Sequence, residues 1–247
     1  MHSHPPVVFI HGFIGTLAVS GHVPSLPERM SIAPDLLGYG VWRDIPPESI
    51  SLAAQAEHVH GLIEVQFGSM PVDVVGHSVG GAIAMLLAHA HPQSVRRIVN
   101  VEGNFTLADA FWSASVGRMS AQQANAMLAG FRADPLAWLG GSVPHATPDM
   151  HDIAVGWLAH QPASTLRAMG QSVVTTTGDN RYLAMVREVF ERHPVHLLAG
   201  ERSRDEWNVP DWAIAQCASF QTLENCGHLV MLERPDVFAA ALERCLG

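Results

Sequence analysis

The chain has 247 residues, 48% of them hydrophobic and 15% charged, with a formal charge of −9. All 14 cationic side chains are arginine, so a Schiff-base lysine, a Ser-Lys dyad and a P-loop phosphate lysine are excluded. The longest basic run, Arg96-Arg97, is too short to build the clustered face that a phosphate backbone requires, so nucleic acid is not an expected partner.

Three cysteines, Cys217, Cys226 and Cys245, form no C-x-x-C pair, which favours free buried thiols and a reducing compartment. The opening MHSHPPVVFIHG lacks a basic leader, and the longest strongly apolar stretch, Ala82 to Ala88, is far shorter than the roughly 20 residues a bilayer span needs. The expectation is a soluble, cytoplasmic protein with no membrane partner.

In chain order, Val7 to Ile10 predicts a buried strand running into His11-Gly12, and Ser31 to Leu36 a weaker strand closed by Pro34-Asp35 and Gly38-Tyr39-Gly40. Ser49 to Phe67 has apolar residues at helical spacing, with Ser49 or Ser51 as N-cap. Val72 to Val75 predicts a strand, Val79 to His91 a helix stopped by Pro92, and Ile98 to Val101 a strand. Residues 103 to 193 contain no good strand and read as short helices broken by Gly and Pro. Strands return at Val195 to Ala199 and Phe220 to Leu223, followed by a helix from Pro235 to Leu246. This alternation predicts an α/β fold, a mostly parallel sheet with helices on both faces. The expected division is a core of residues 1–102 and 195–247, with residues 103–194 inserted as a helical cap.

The sharpest motif is Gly76-His77-Ser78-Val79-Gly80-Gly81, set between a predicted strand and a predicted helix. A serine on so tight a turn has a strained backbone and needs small residues two before and two after it, here Gly76 and Gly80. The turn lifts the Ser78 hydroxyl above the sheet edge beside a helix N-terminus.

In this motif the chain resembles the α/β-hydrolase superfamily. By that resemblance His11-Gly12-Phe13-Ile14-Gly15 is the oxyanion loop, with the N–H groups of Phe13 and Val79 as donors; such a donor supplies about 2.7–4 kcal/mol to the transition state. Gly227-His228-Leu229 follows the last predicted strand, where the family keeps its catalytic histidine. The usual position of the acid, three residues after Gly200, is Ser203. Two carboxylates remain. Asp205 lies further along the same loop, and Glu102 ends the strand Ile98 to Val101; a minority of the superfamily, some haloalkane dehalogenases and lactone hydrolases among them, places its acid after that earlier strand. Glu102 is preferred and Asp205 is the alternative.

Three His-x-His pairs do not make a metal site: residues two apart on a helix diverge, which sets aside His58/His60 and His89/His91, and His2/His4 falls on a terminus expected to fray. No dinucleotide fingerprint is present, so neither metal nor cofactor is implied. The inserted segment is rich in aromatic residues and methionine, and a pocket under it is expected from Ile14, His77, Phe105, Trp112 and Leu229. Arg118 and Arg132 are candidates for meeting a carboxylate.

The resemblance also implies a sheet two strands short at the N-terminal side, its open edge near Ser31 to Leu36 either covered by a loop or paired in a homodimer. The expected activity is hydrolysis of a hydrophobic carboxylic ester, lactone or thioester by Ser78, His228 and Glu102 through an acyl-enzyme. Carbon–carbon bond hydrolysis, a lyase step and a low-turnover ligand receptor are the alternatives on the same fold.

Overall fold

The computed structural model describes residues 4–18 and 29–247, so His2 of the first His-x-His pair lies outside the described residues. Six strands, β1 (Val7–Ile10), β2 (Ser31–Ile32), β3 (Val72–His77), β4 (Val95–Val101), β5 (Val195–Gly200) and β6 (Ser219–Leu223), form one sheet. Its order is β2-β1-β3-β4-β5-β6 and every pairing is parallel. A parallel ladder must be crossed over by chain returning along one face, and the helices do this.

Side-chain alternation divides the strand residues between two cores. Val8, Ile10, Val74 and Ile98 join the core beneath α1 (Leu52–Phe67) and α2 (Val79–Ala90). Val7, Phe9, Val75 and Val99 join the core beneath α11 (Pro235–Leu246), through Phe238, Ala241 and Leu242. Because both faces are covered, β1 and β3 are buried along their whole length. The Ser51 side chain caps α1 by accepting from Ala54 N at 3.0 Å.

Between β4 and β5 the chain forms α3 (Phe111–Arg118), α4 (Ala121–Ala133), α5 (Pro135–Gly140), α6 (His151–Ala159), α7 (Ala163–Thr177) and α8 (Asn180–Arg192), with no strand. A capping box between Ser120 and Gln123 starts α4, Asp134 caps α5, and Asp179 caps α8. α8 packs beside α2 on the sheet, whereas α3 packs on α7. After β5 come α9 (Asp211–Gln216) and α10 (Val230–Glu233), the latter directly before α11.

Strand limits shift by one or two residues at β3, β5 and β6, and by more at two others. β2 is two residues long, since Pro34 has no N–H for a ladder and Asp35 accepts from Val41 N in a turn instead. β4 begins at Val95, three residues earlier than expected, because Arg96 and Arg97 sit in the strand with their guanidinium groups on the buried Asp73. Among the described residues, no strand lies beyond β2 or β6, and no helix is long and apolar enough to cross a membrane.

Candidate active site

β3 delivers the chain into a turn at which Ser78 has φ 55° and ψ −125°, a region that non-glycine residues enter only under constraint. The constraint is visible on both sides. Ser78 N donates to Val101 O at 2.9 Å, and Gly81 N donates to Ser78 O at 2.8 Å. A Cβ on Gly76 would stand 2.5 Å from Gly80 O, and one on Gly80 would stand 2.3 Å from Ile10 O. Only glycine lets the turn close at these two points. α2 therefore starts at Val79, immediately after Ser78, and its free N–H groups and positive dipole end meet the cavity that Ser78 lines.

Glu102 follows β4 with φ 46° and is 4% exposed. One of its oxygens, Oε2, accepts from His228 Nδ1 at 2.6 Å. The other, Oε1, accepts from Gly200 N at 2.7 Å and from Ser203 Oγ at 2.6 Å. Burial pushes this carboxyl up, but the bonds from His228, Ser203 and Gly200 together outweigh it and hold the group below the usual carboxylate range. With Nδ1 donating to Glu102, Nε2 is the ring nitrogen of His228 left without a protein partner among the described residues. Asp205, the alternative acid, is exposed on the turn Arg204–Glu206 and is not a partner of His228.

The loop after β1 is fixed by residues far away in sequence. Tyr39 Oη donates to Phe13 O at 2.8 Å, and Gly15 N donates to Gln161 Oε1 at 3.1 Å. His11 Nδ1 donates to Gly12 O at 2.9 Å, its ring stands edge-on to Tyr39, and burial pushes it down to about 4, so it is neutral. Held this way, the N–H groups of Phe13 and Val79 have no protein acceptor among the described residues. His77 Nε2 donates to His228 O at 2.9 Å; burial pushes His77 down to about 3, which makes it a neutral brace for the His228 loop.

A cavity of about 590 Å³ opens over Ser78, Glu102 and His228. Ile14, His77, Trp112 and Leu229 line it, together with Phe111, Phe131, Trp138 and Trp157 from the helices above. Phe13 packs edge-on against Trp112 with ring centroids 5.3 Å apart. Phe105 does not line it. It is fully buried against Phe190 and Trp207, because Asp109 turns the loop inward by accepting from Phe105 N at 3.0 Å and Thr106 N at 3.1 Å. Burial pushes the Asp109 carboxyl up to about 6.

Neither candidate arginine lines the cavity. The Arg132 guanidinium donates to the carbonyls of Leu158 and Gln161, and Arg118 is exposed and outside the cavity lining. Ser203, Tyr39 and Gln161 are the site residues that sequence reasoning missed as partners. Ser203 was visible as the substitution at the usual acid position, whereas nothing in the local pattern marks Tyr39 or Gln161. Histidines do meet, though across two of the expected pairs: His60 of α1 stacks on His91 with centroids 3.5 Å apart, and His91 Nε2 lies 3.0 Å from Glu57.

A lipase of Mycobacterium tuberculosis, LipV, is 46% identical over 74 residues, which cover 30% of this chain and 27% of that protein. A 2-hydroxymuconate semialdehyde hydrolase of Pseudomonas putida is 39% identical over 80 residues, 32% of this chain and 28% of that protein. The chain thus spans less than a third of the length of these curated relatives. The crystal structure of a carboxylesterase of Nitrososphaera gargenis shares the fold, with a TM-score of 0.75 at 16% identity over 99% of this chain and 90% of that one. The family model described as "Alpha/beta hydrolase family" matches residues 7–241, from the first residue of β1 into α11. The chain belongs to the alpha/beta hydrolase family.

Proposed function

We propose that the protein hydrolyses carboxylic esters of hydrophobic acyl groups, with no cofactor. The observation that carries this reading is the 2.6 Å bond from His228 Nδ1 to Glu102, beside a Ser78 held at positive φ in one largely apolar cavity. Ser78 Oγ attacks the acyl carbonyl while His228 Nε2 takes its proton. The N–H groups of Phe13 and Val79 bind the oxyanion that forms. His228 then returns the proton to the departing alcohol, leaving an acyl-Ser78 ester, and water activated by the same histidine releases the acid. Glu102 orients the ring and balances the imidazolium charge in both steps. The aromatic lining from Phe131, Trp138 and Trp157 suits an apolar acyl chain.

A fluorophosphonate probe tests the assignment. The reading expects one phosphonyl group per chain on Ser78, with labelling slowed by an added ester. Labelling elsewhere, or none at all, overturns it.

Carbon–carbon bond hydrolysis by the same residues is the second reading. Its support is the stretch shared with the 2-hydroxymuconate semialdehyde hydrolase. A steady preference for ester over carbon–carbon substrates, measured as kcat/KM, separates the two.

A further inference from the structure

A second, smaller cavity of about 230 Å³ adjoins the first, and the two share Gly141, Ser142, Ser203, Glu206 and His228 in their walls. Their linings differ in kind. The larger is dominated by aromatic rings, whereas Ser142, Arg202, Ser203 and Glu206 give the smaller its hydroxyl and charged groups. The loop carrying Ser142 lies over Gly227, with Ser142 O 3.6 Å from where a Cβ on Gly227 would stand.

The polar groups of the small cavity are only partly spent. Arg202 Nη2 pairs with Glu233, whose other oxygen accepts from Gly227 N at 2.8 Å. Arg202 Nε and Nη1 and the Ser142 hydroxyl have no protein partner among the described residues. Glu206 adds a further carboxylate to the wall. The charge of Arg202 is thus already balanced by Glu233, while Glu102 and Glu206 stand nearby, so an anionic group entering here meets a net negative surface.

The position relative to His228 decides what enters. In ester cleavage the departing oxygen must come within about 3 Å of the histidine that protonates it, so the alcohol portion lies against His228, and the small cavity lies against His228 too. We propose that this cavity is the leaving-group subsite and that it takes a short neutral polyol of glycerol size, the acyl chain occupying the aromatic cavity. The proposal rests on the ester reading above. Ser78 Oγ bonds to the acyl carbon, the bond from that carbon to the polyol oxygen breaks, and His228 hands the proton taken from Ser78 to that oxygen. Water then cleaves the acyl-Ser78 bond, so one ester and one water give one acid and one polyol. The free hydroxyls of the polyol accept from Arg202 and exchange bonds with Ser142.

The test compares kcat/KM for three octanoate esters: the monoglyceride, the propyl ester and the anionic glycolate ester. The glyceryl ester is expected to exceed the propyl ester by tenfold or more, with the glycolate ester the poorest of the three. Ser142→Ala is expected to cut the glyceryl-to-propyl ratio about threefold, and Arg202→Met to bring it close to one. Arg202 also tethers the Gly227 loop through Glu233, so the exposed Ser142 gives the variant that leaves folding intact. Hydrolysis of glyceryl and propyl esters at equal rates, or a ratio indifferent to Ser142→Ala, overturns the subsite while leaving the ester reading in place. Hydrolysis of none of the three overturns both.

Discussion

Ser203, three residues after Gly200, donates its hydroxyl to the Oε1 of Glu102 at 2.6 Å. The serine is thus bonded to the carboxylate that contacts His228 from the end of a different strand. Ser203→Ala removes one of three donors to a carboxyl that is 4% exposed, and a hydrogen bond to a charged group is worth about 1.5–3 kcal/mol. The expected result is a fall in ester kcat/KM of about tenfold or more, with the carboxyl rising toward its usual range, so that the acid limb of the activity profile moves to higher pH. Ser203→Thr, which keeps the hydroxyl, should recover most of the loss. An unchanged acid limb in Ser203→Ala would mean that the bond does not tune Glu102.

Replacing the two candidate acids separately should give opposite results. Glu102→Gln leaves His228 without a charge to balance its imidazolium, and the expected loss is about 10³–10⁴ in kcat. Asp205→Asn alters an exposed turn residue, and the expected change is less than twofold. Steady-state kinetics on one chromogenic ester checks both, and a reversed order would move the acid to Asp205.

Gly80→Ala should destabilise the fold rather than merely slow it. The added Cβ meets Ile10 O at 2.3 Å, backbone on backbone, so either β1 or the Ser78 turn must move. Overpacking of this kind costs about 1–3 kcal/mol. Denaturant unfolding should show a lower midpoint, together with loss of activity in the protein that remains folded. A midpoint equal to wild type would contradict the close approach.

Acid stability follows from two buried neutral histidines. His11 and His77 are pushed down by burial to about 4 and about 3, against 6.5 for the ordinary ring. Below pH 6.5 the unfolded chain therefore binds protons that the folded one refuses, and stability falls as pH drops from there toward about 4. Each ring contributes a slope of up to about 1.4 kcal/mol per pH unit in that window. Unfolding curves at pH 7.5, 6.5, 5.5 and 4.5 should show this decline, and His77→Gln should make it shallower. A flat wild-type profile across the window would mean that these rings titrate normally in the folded protein.

The parts of this fold legible in the sequence are those whose signal is local. Val7 to Ile10 is a continuous apolar run, and Val72 to Val75 is apolar but for Asp73, because both sheet faces are covered, and Gly76 and Gly80 are fixed by contacts within a few residues or with β1. The start of β4 was hidden by Arg96 and Arg97, whose charges are met by Asp73 on the neighbouring strand. Phe105 illustrates a different gap: composition marks it as an apolar residue near the site, but the Asp109 bonds that aim it into the core are set by loop geometry. Tyr39 and Gln161 act on the loop after β1 from 26 and 146 residues away, and no periodicity carries that information. Glu102 was readable as a strand-end carboxylate with the right separation from Ser78, which is why it is preferred over Asp205 in the sequence; its bond to His228 Nδ1 is a long-range contact that no local pattern carries.

Ser78 is proposed as the nucleophile of an ester hydrolase. Rates on p-nitrophenyl esters of graded acyl length, measured for wild type and Ser78→Ala side by side, test it most directly. The expected result is measurable wild-type turnover that favours medium over very short chains and falls by about 10³ or more on removing the hydroxyl. Turnover that survives Ser78→Ala unchanged, or a wild type inert across the whole series, would contradict it.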